Sequence, residues 1–343
     1  MEYFAFQWHI TEACDQRCRH CYIYALGSHA KFQAMALEDM IRAIENCQAF
    51  CRKAGRLPYF YLTGGDPILH PQFWQLAGLL KERGLPFAIL GNPFHLTDDV
   101  CQKLRDHGCR KYQLSLDGLR ETHDRIRRPG SYDETLAAIP LLRQAGIHVA
   151  LMATVSKWNV QEIPALVDVA VEHQADIFAF ARYCPSQADR DTTCSPLEYR
   201  ALLEACWEKF QAYEAAGCPT TFSRKDHLWT HFLYEKGLFH IDETLDPDTI
   251  YDGCNCGNCH MTILSDGAVY ACRRMESKVG NALTDDLYDL FTGPAYEAYR
   301  QYDQFEKCAK CELLRFCRGC PAVAAGYHGS PYAPDPQCWK EVL

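Results

Sequence analysis

Three cysteines, Cys14, Cys18 and Cys21, fall within eight positions of the stretch "HITEACDQRCRHCYIYA", directly behind an apolar run. A closed tetrahedral zinc site takes four protein ligands, usually from two separated pairs, and C-x3-C-x2-C stops one short. A cubane iron–sulfur cluster held by three thiolates keeps one iron open to another ligand. Nine more cysteines crowd the last 90 residues. "CAKCELLRFCRGC" spaces Cys308, Cys311, Cys317 and Cys320 as C-x2-C-x5-C-x2-C, and Cys338 follows. Upstream stand Cys254, Cys256 and Cys259, then "GAVYAC", which sets Cys272 five residues after Gly267. A zinc ribbon strands several of these nine and leaves the first triplet unexplained, so iron–sulfur chemistry is the better expectation.

Composition narrows the class. The chain has 343 residues, 48% of them hydrophobic, and a net charge of −9, enough for one large domain and a smaller one. With no basic footprint, nucleic acid is not expected as a partner. "RETHDRIRR" (Arg120 to Arg128) is the densest basic stretch, and acids interrupt it. No signal peptide and no run of about 18 apolar residues is present, so a cytoplasmic protein with no membrane partner is expected. In a reducing compartment, twenty cysteines point to metal rather than disulfides.

These thiols need positioning elements. β-type runs at Tyr3 to Ile10, Tyr59 to Gly64, Pro86 to Asn92, Lys111 to Asp117, His148 to Val155 and Ile177 to Tyr183 alternate with amphipathic stretches. The latter include Leu37 to Ala54, Pro71 to Arg83, Tyr132 to Ala145 and Ile163 to His173. Strict alternation predicts an α/β fold with a parallel sheet, here a partial (β/α)6 TIM-like barrel over residues 1–190. Chemistry in such folds collects where strands end, and the triplet, "TGGDP", "GNPF", "SLDG" and "ARYCP" all fall there. A helix (Pro196 to Ala216) and an aromatic connector with His227, His231 and His240 make a bridging region over 191–253. The connector is expected to pack between domains, with substrate lining as the alternative. Residues 254–343 read as a small cysteine-rich domain that metal helps to hold.

The triplet at the end of a first strand resembles the radical S-adenosylmethionine (radical SAM) superfamily. The resemblance implies that the open iron of a 4Fe-4S cluster chelates SAM, whose reductive cleavage gives methionine and a 5′-deoxyadenosyl radical that takes a hydrogen atom from substrate. "TGGDP" resembles the family's glycine-rich motif, which implies SAM contacts for Gly64, Gly65 and Asp66, with aspartate where glutamate is usual. "SLDG" looks like the ribose-binding position and implies Ser115 and Asp117. Asn92, Thr154 and Arg182 also end strands and are further cofactor-pocket candidates.

The C-terminal cysteines resemble the SPASM extension of that superfamily, which carries two auxiliary 4Fe-4S clusters, three clusters in all with the first. This chain has two residues between the third and fourth cysteines where three are common. The family pattern implies Cys308, Cys311, Cys317 and Cys338 around an outer cluster. Cys272 and Cys320 would join about two of Cys254, Cys256 and Cys259 around an inner one. Eight other cysteines are expected to pack as small hydrophobes. The exception is Cys184, which follows the sixth strand and is the candidate catalytic thiol, able to bind substrate or donate hydrogen.

SPASM enzymes mostly act on peptides or proteins. A sulfatase-maturating enzyme has aspartate after the G-x4-C cysteine, whereas Arg273 stands here, which argues against formylglycine formation. The leading expectation is maturation of a ribosomally made peptide by a cysteine thioether cross-link. Epimerisation or carbon–carbon cross-linking is the near alternative, and a non-catalytic zinc protein the distant one. The class implies a flavodoxin or ferredoxin as electron donor. With the first strand so near residue 1, the barrel, the connector or a separate protein is expected to read any leader.

Overall fold

In the computed structural model, residues 2–24, 34–246 and 248–342 are described. The six predicted strands form as β1 (Tyr3–Thr11), β2 (Leu57–Gly64), β3 (Phe87–Leu90), β4 (Lys111–Ser115), β5 (His148–Val155) and β6 (Ile177–Arg182). All pair in parallel and in sequence order. Helices cross between them: α1 (Leu37–Ala54), α2 (Phe73–Glu82), α3 (Asp98–Asp106), α4 (Arg120–Ile126), α5 (Ser131–Gln144) and α6 (Ile163–Glu172). The local logic is ordinary. In α1 the residues Met40, Ala43, Ile44, Cys47, Phe50 and Cys51 recur every three or four positions and are buried, and Gly55 ends the helix in the left-handed conformation. Sequence patterning did not mark α3, whose only buried residues are Cys101 and Leu104; Thr97, accepting the Val100 N–H, starts it.

Two features extend the expected barrel. After α7 (Pro196–Ala215), begun by the Ser195/Glu198 capping box, the three-residue β7 (Thr221–Ser223) adds a seventh parallel strand beside β6. Past α8 (Leu228–Glu235), β8 (His260–Ile263) pairs in parallel with β1 on the opposite side, and β9 (Ala268–Tyr270) and β10 (Lys278–Asn281) follow antiparallel. The result is one ten-stranded sheet that runs on through residue 254. The helices α9 (Leu287–Thr292), α10 (Pro294–Glu297) and α11 (Pro321–His328) complete the C-terminal region. Among the described residues no helix is long and apolar enough to cross a membrane.

Strand register divides two faces. On β1, Phe4, Phe6, Trp8 and Ile10 are buried against the helix layer, with Phe4 tilted against Phe50 of α1 and Phe6 meeting that ring edge-on. Ala5, Gln7 and His9 therefore point into the barrel. Parallel partners share a face, so Tyr59 and Tyr61 (β2), Lys111 and Gln113 (β4), Met152 and Thr154 (β5), Ala179 and Ala181 (β6), Ser223 (β7) and His260 (β8) join them.

Arg182 ends β6 but does not face this interior as a cofactor-pocket residue would. Its fully buried guanidinium donates from Nε to Asp226 (2.8 Å) and from Nη1 to both oxygens of Asp335 (2.6 and 2.7 Å). The earlier expectation is corrected: two buried carboxylates, one from the connector and one from the C-terminal segment, outcompete the pocket for the charge. Arg182→Met leaves both acids buried without a counter-charge and is expected to cost about 3–5 kcal/mol, read as a lower urea midpoint.

Candidate active site and metal centres

The cysteine loop leaves β1 and leans on the end of β2. Gly65 N–H donates to Thr11 O (2.8 Å) and Asp66 N–H to Ala13 O (2.7 Å). A Cβ on Gly64 would overlap the Thr11 carbonyl, and one on Gly65 the Ala13 carbonyl. Both positions need glycine because two backbones touch there. The sequence did not reveal this purpose: the glycines seat the loop that carries Cys14.

Two further strand ends clamp the loop. Asn92, after β3, donates from Nδ2 to Asp15 Oδ1 (2.8 Å) and to Cys14 Sγ (3.3 Å). Asp117, after β4, is fully buried with both oxygens engaged: Oδ1 accepts the Thr154 N–H (2.8 Å) and Oδ2 the Arg127 Nε–H (2.6 Å). Burial alone would raise its pKa, but Arg127, then His20 and His123, hold it below the usual carboxylate range. Arg127 in turn points Nη1 at Cys18 Sγ (3.7 Å). Asp117 is thus a brace under the cluster loop, where the resemblance implied a ribose contact. Thr154 serves through its backbone, and Ser115 stays half-buried on the inner face of β4. Arg127 was missed because its only sequence signal was membership in a charged run.

Asp66 is different. It is fully buried, Oδ2 has no partner among the described residues, and burial, then Asp15, push its pKa up to about 7. The folded chain therefore keeps a proton that the unfolded chain loses near pH 4, and the stability this gives disappears as pH rises through 7. Relative to Asp66→Asn, the metal-free wild type should melt roughly a few degrees lower at pH 8 than at pH 5.5.

The C-terminal thiols gather in two groups. Cys308, Cys311, Cys317 and Cys338 line one recess together with His231, Leu313 and Lys340. His231, from the connector, stacks on Trp339 with ring centroids 4.5 Å apart, which makes the connector a packed bridge. Elsewhere Cys254 lies within electrostatic reach of Cys320 and Cys272, and Cys256 of Cys254, Cys272 and Cys320. Arg274 supplies the counter-charge, with Nη2 3.9 Å from Cys320 Sγ. Cys259 stands apart: its thiol donates to Asn255 Oδ1 (3.1 Å), and its charged neighbours are Arg56, the N-terminus, Arg318 and Asp252. Of the three upstream choices, Cys259 is the one turned away.

Cys184 also moves. The expectation placed it toward substrate, but it packs with Cys320, Cys272 and Met275, and its thiol hydrogen-bonds Cys320. The cause is the crossing of α11 beside Pro185, so close that a Cβ on Gly326 would overlap the Pro185 carbonyl. Cys184 is a neighbour of the inner thiol group.

Two sets of four thiols and one of three, sulfur atoms gathered and backed by Arg274 and Arg127, fit iron–sulfur clusters in donor chemistry. Burial pushes Cys18 up to about 11 and Cys308 and Cys254 up to about 12, so metal binding must release protons.

Residues 8–170 match the radical SAM superfamily and residues 254–321 match SPASM, an iron–sulfur cluster-binding domain. The chain belongs to the radical SAM superfamily. It is a radical SAM enzyme carrying a SPASM domain. It is similar to an AdoMet-dependent heme synthase of Methanosarcina barkeri, 26% identical over 80% of this chain and 78% of the relative. It is also similar to the mycofactocin maturase MftC of Mycobacterium ulcerans, 26% identical over 96% of this chain and 86% of the relative. Among solved structures, Streptococcus suis SuiB bound to its precursor peptide SuiA superposes with a TM-score of 0.76 at 21% identity, over 99% of this chain and 77% of that one. Native anSMEcpe with bound AdoMet gives 0.75 at 16%, over 97% and 94%. These likenesses establish the shared partial barrel with its SPASM domain.

The geometry separates the cysteines experimentally. In anaerobically reconstituted protein, Cys259→Ser should keep the full iron content, whereas Cys254→Ser or Cys256→Ser should each lower it by up to about four irons, measured colorimetrically.

Proposed function

We propose that this radical SAM enzyme modifies a ribosomally made peptide oxidatively, joining a cysteine sulfur to carbon as a thioether. The observation that carries the reading is the inner thiol group, Cys254, Cys256, Cys272 and Cys320, seated with Arg273 and Arg274 beside the barrel interior. Closing a carbon–sulfur bond removes two hydrogens from the peptide. One leaves as an atom, the other as a proton and an electron, so an electron acceptor must stand near the reacting carbon. Epimerisation removes no net electrons and gives such an acceptor no task. The full-length likeness to a maturase and the fold shared with a protein seen on its precursor peptide support a peptide as substrate.

In this reading three 4Fe-4S clusters and SAM supply the reductive cleavage and hydrogen abstraction, and the chain's own residues hold and shield. Cys14, Cys18 and Cys21 hold the SAM-binding cluster; Gly64, Gly65 and Asn92 fix that loop, and Asp117 with Arg127 braces it from below. The outer group, Cys308, Cys311, Cys317 and Cys338, would hold a cluster able to exchange electrons with a flavodoxin or ferredoxin. A leader segment docks on the barrel, the connector or a separate protein.

Co-expression with a short cysteine-containing peptide encoded beside the gene tests this. The expected product is lighter by about two mass units per cross-link and has lost one alkylatable thiol. An unchanged mass with deuterium taken up from heavy water would establish epimerisation instead. Anaerobically purified enzyme should be brown with about twelve irons per chain.

A further inference from the structure

Among the described residues, no acid pairs with the positive charge at the barrel interior. Lys225 follows β7 by two residues from Ser223, so alternation turns it to the face shared by Gln7, His260 and Lys111. Its side chain keeps contact with solvent, yet surrounding protein, followed by Arg273, Arg274 and Lys111, draws its pKa down to about 8. Among the described residues Lys225 has no hydrogen-bond or ion-pair partner, and no carboxylate pairs with Lys111, Arg273 or Arg274.

Arg273 extends the same charge toward the SAM side. Among the described residues its guanidinium donates to neutral groups only: Nη1 to Tyr22 Oη (3.3 Å), and Nη1 and Nε to Gln7 Oε1 (2.6 and 3.1 Å) with that amide turned to present oxygen. Tyr22 directly follows Cys21 and also meets His9 Nε2 (3.1 Å). The histidines add no charge: burial, then Arg273, holds both His9 and His260 down at about 3. Arg274 is answered by the thiols beside it, with Cys184, Cys320, Cys272 and Cys254 all in reach. Lys225 and Arg273 are left over. Small side chains at Ala5, Ala179 and Ala181 leave room between them and the sheet.

Unpaired charge in a crowded site is costly unless a counter-charge arrives with a ligand. We infer that Lys225 and Arg273 form a carboxylate-binding subsite that takes a carboxylate of the substrate into the barrel, between the Cys14–Cys21 loop and the inner thiol group. This rests on the peptide reading and deepens it: the segment to be modified presents its C-terminal carboxylate, or an aspartate or glutamate, beside the reacting carbon. Arg273 offers a planar fork suited to a carboxylate, and Lys225 a point charge on a flexible stem. The subsite excludes an acidic catalytic group at residue 273, in keeping with the departure from sulfatase-maturating enzymes.

The test uses reconstituted, SAM-loaded enzyme and three probes: N-acetyl-alanyl-alanine, its C-terminal amide, and N-acetyl-glutamate α-amide. Calorimetry should show the first acid binding about tenfold or more tightly than its amide. Lys225→Met and Arg273→Gln should bring that ratio to about one, Lys225→Arg should restore it, and iron content and SAM affinity should stay unchanged in the two Lys225 variants. Preference for the glutamate probe over the dipeptide acid would assign the carboxylate to a side chain, and the reverse to a chain end; either supports the subsite. Equal binding of acid and amide to the wild type, or an acid preference surviving in Lys225→Met, would overturn it. So would a loss of SAM affinity in Lys225→Met, because the carboxylate would then be that of SAM. If acid preference holds while the co-expressed peptide stays unmodified, the peptide reading fails alone and the subsite stands.

Discussion

The pairing of β8 with β1 is the constraint on which the rest depends. Ala5 to Trp8 register against His260 to Ile263 in parallel, so a segment some 250 residues downstream becomes the neighbour of the first strand. That register puts His260 on the interior face beside Ala5 and brings Cys254, Cys256 and Cys272 to the same barrel whose first loop carries Cys14. Parallel pairing of segments so distant in sequence carries a large loop-closure cost, which contacts elsewhere must offset. Asn46 of α1, bonded to the carbonyls of Ala282 and Asp285, is one such contact, and the buried Arg182 with Asp226 and Asp335 is another.

Around that frame, charge is placed with a consistent economy. Each thiol group has a nearby cation: Arg127 for the first loop, Arg274 for the inner group, and Lys340 beside the outer recess. Burial holds the bare thiols of Cys18, Cys254 and Cys308 above their usual range, whereas the hydrogen bond from Cys184 holds Cys320 below it, and bound metal favours the thiolate at every ligand. The interior between them keeps its histidines neutral and its remaining cations unpaired. A site of that kind attracts an anion without offering a competing acid, and a hydrogen-abstracting reaction gains from the exclusion of titrating groups it does not use.

Much of the barrel was legible in the sequence because its signals are local. Alternating apolar runs, helix caps and Gly-Gly turns each act within a few residues, so six strands and the main helices followed directly. The strands and helices that escaped, among them α3, α4, β7 and β8 to β10, are short or sparsely apolar, and only neighbours hold them in place. Cysteine spacing marked the C-terminal thiols as a group, but the exchange of Cys320 for Cys338 in the outer set came from the family resemblance, and the recess lined by Cys308, Cys311, Cys317 and Cys338 agrees with it. Spacing did not separate Cys259 from Cys254 and Cys256, because one or two residues of offset turn a side chain to another direction and only the packed backbone says which.

By itself, then, the sequence determined the element order, the three-thiol loop with its open position, and the chemical class, all of which rest on residue type and near spacing. The tertiary structure decided where charges and thiols separated by tens to hundreds of residues meet. It took Arg182 from the cofactor side to a buried junction, Cys184 from the substrate side to the inner thiols, and Asp117 from a ribose contact to a brace. It also assembled Lys225 and Arg273, near neither each other nor any motif that marks Lys225, into one unanswered patch. The physical reason is common to all four cases: electrostatic partners and sulfur contacts act through space, and sheet register, which no local pattern encodes, fixes the distances.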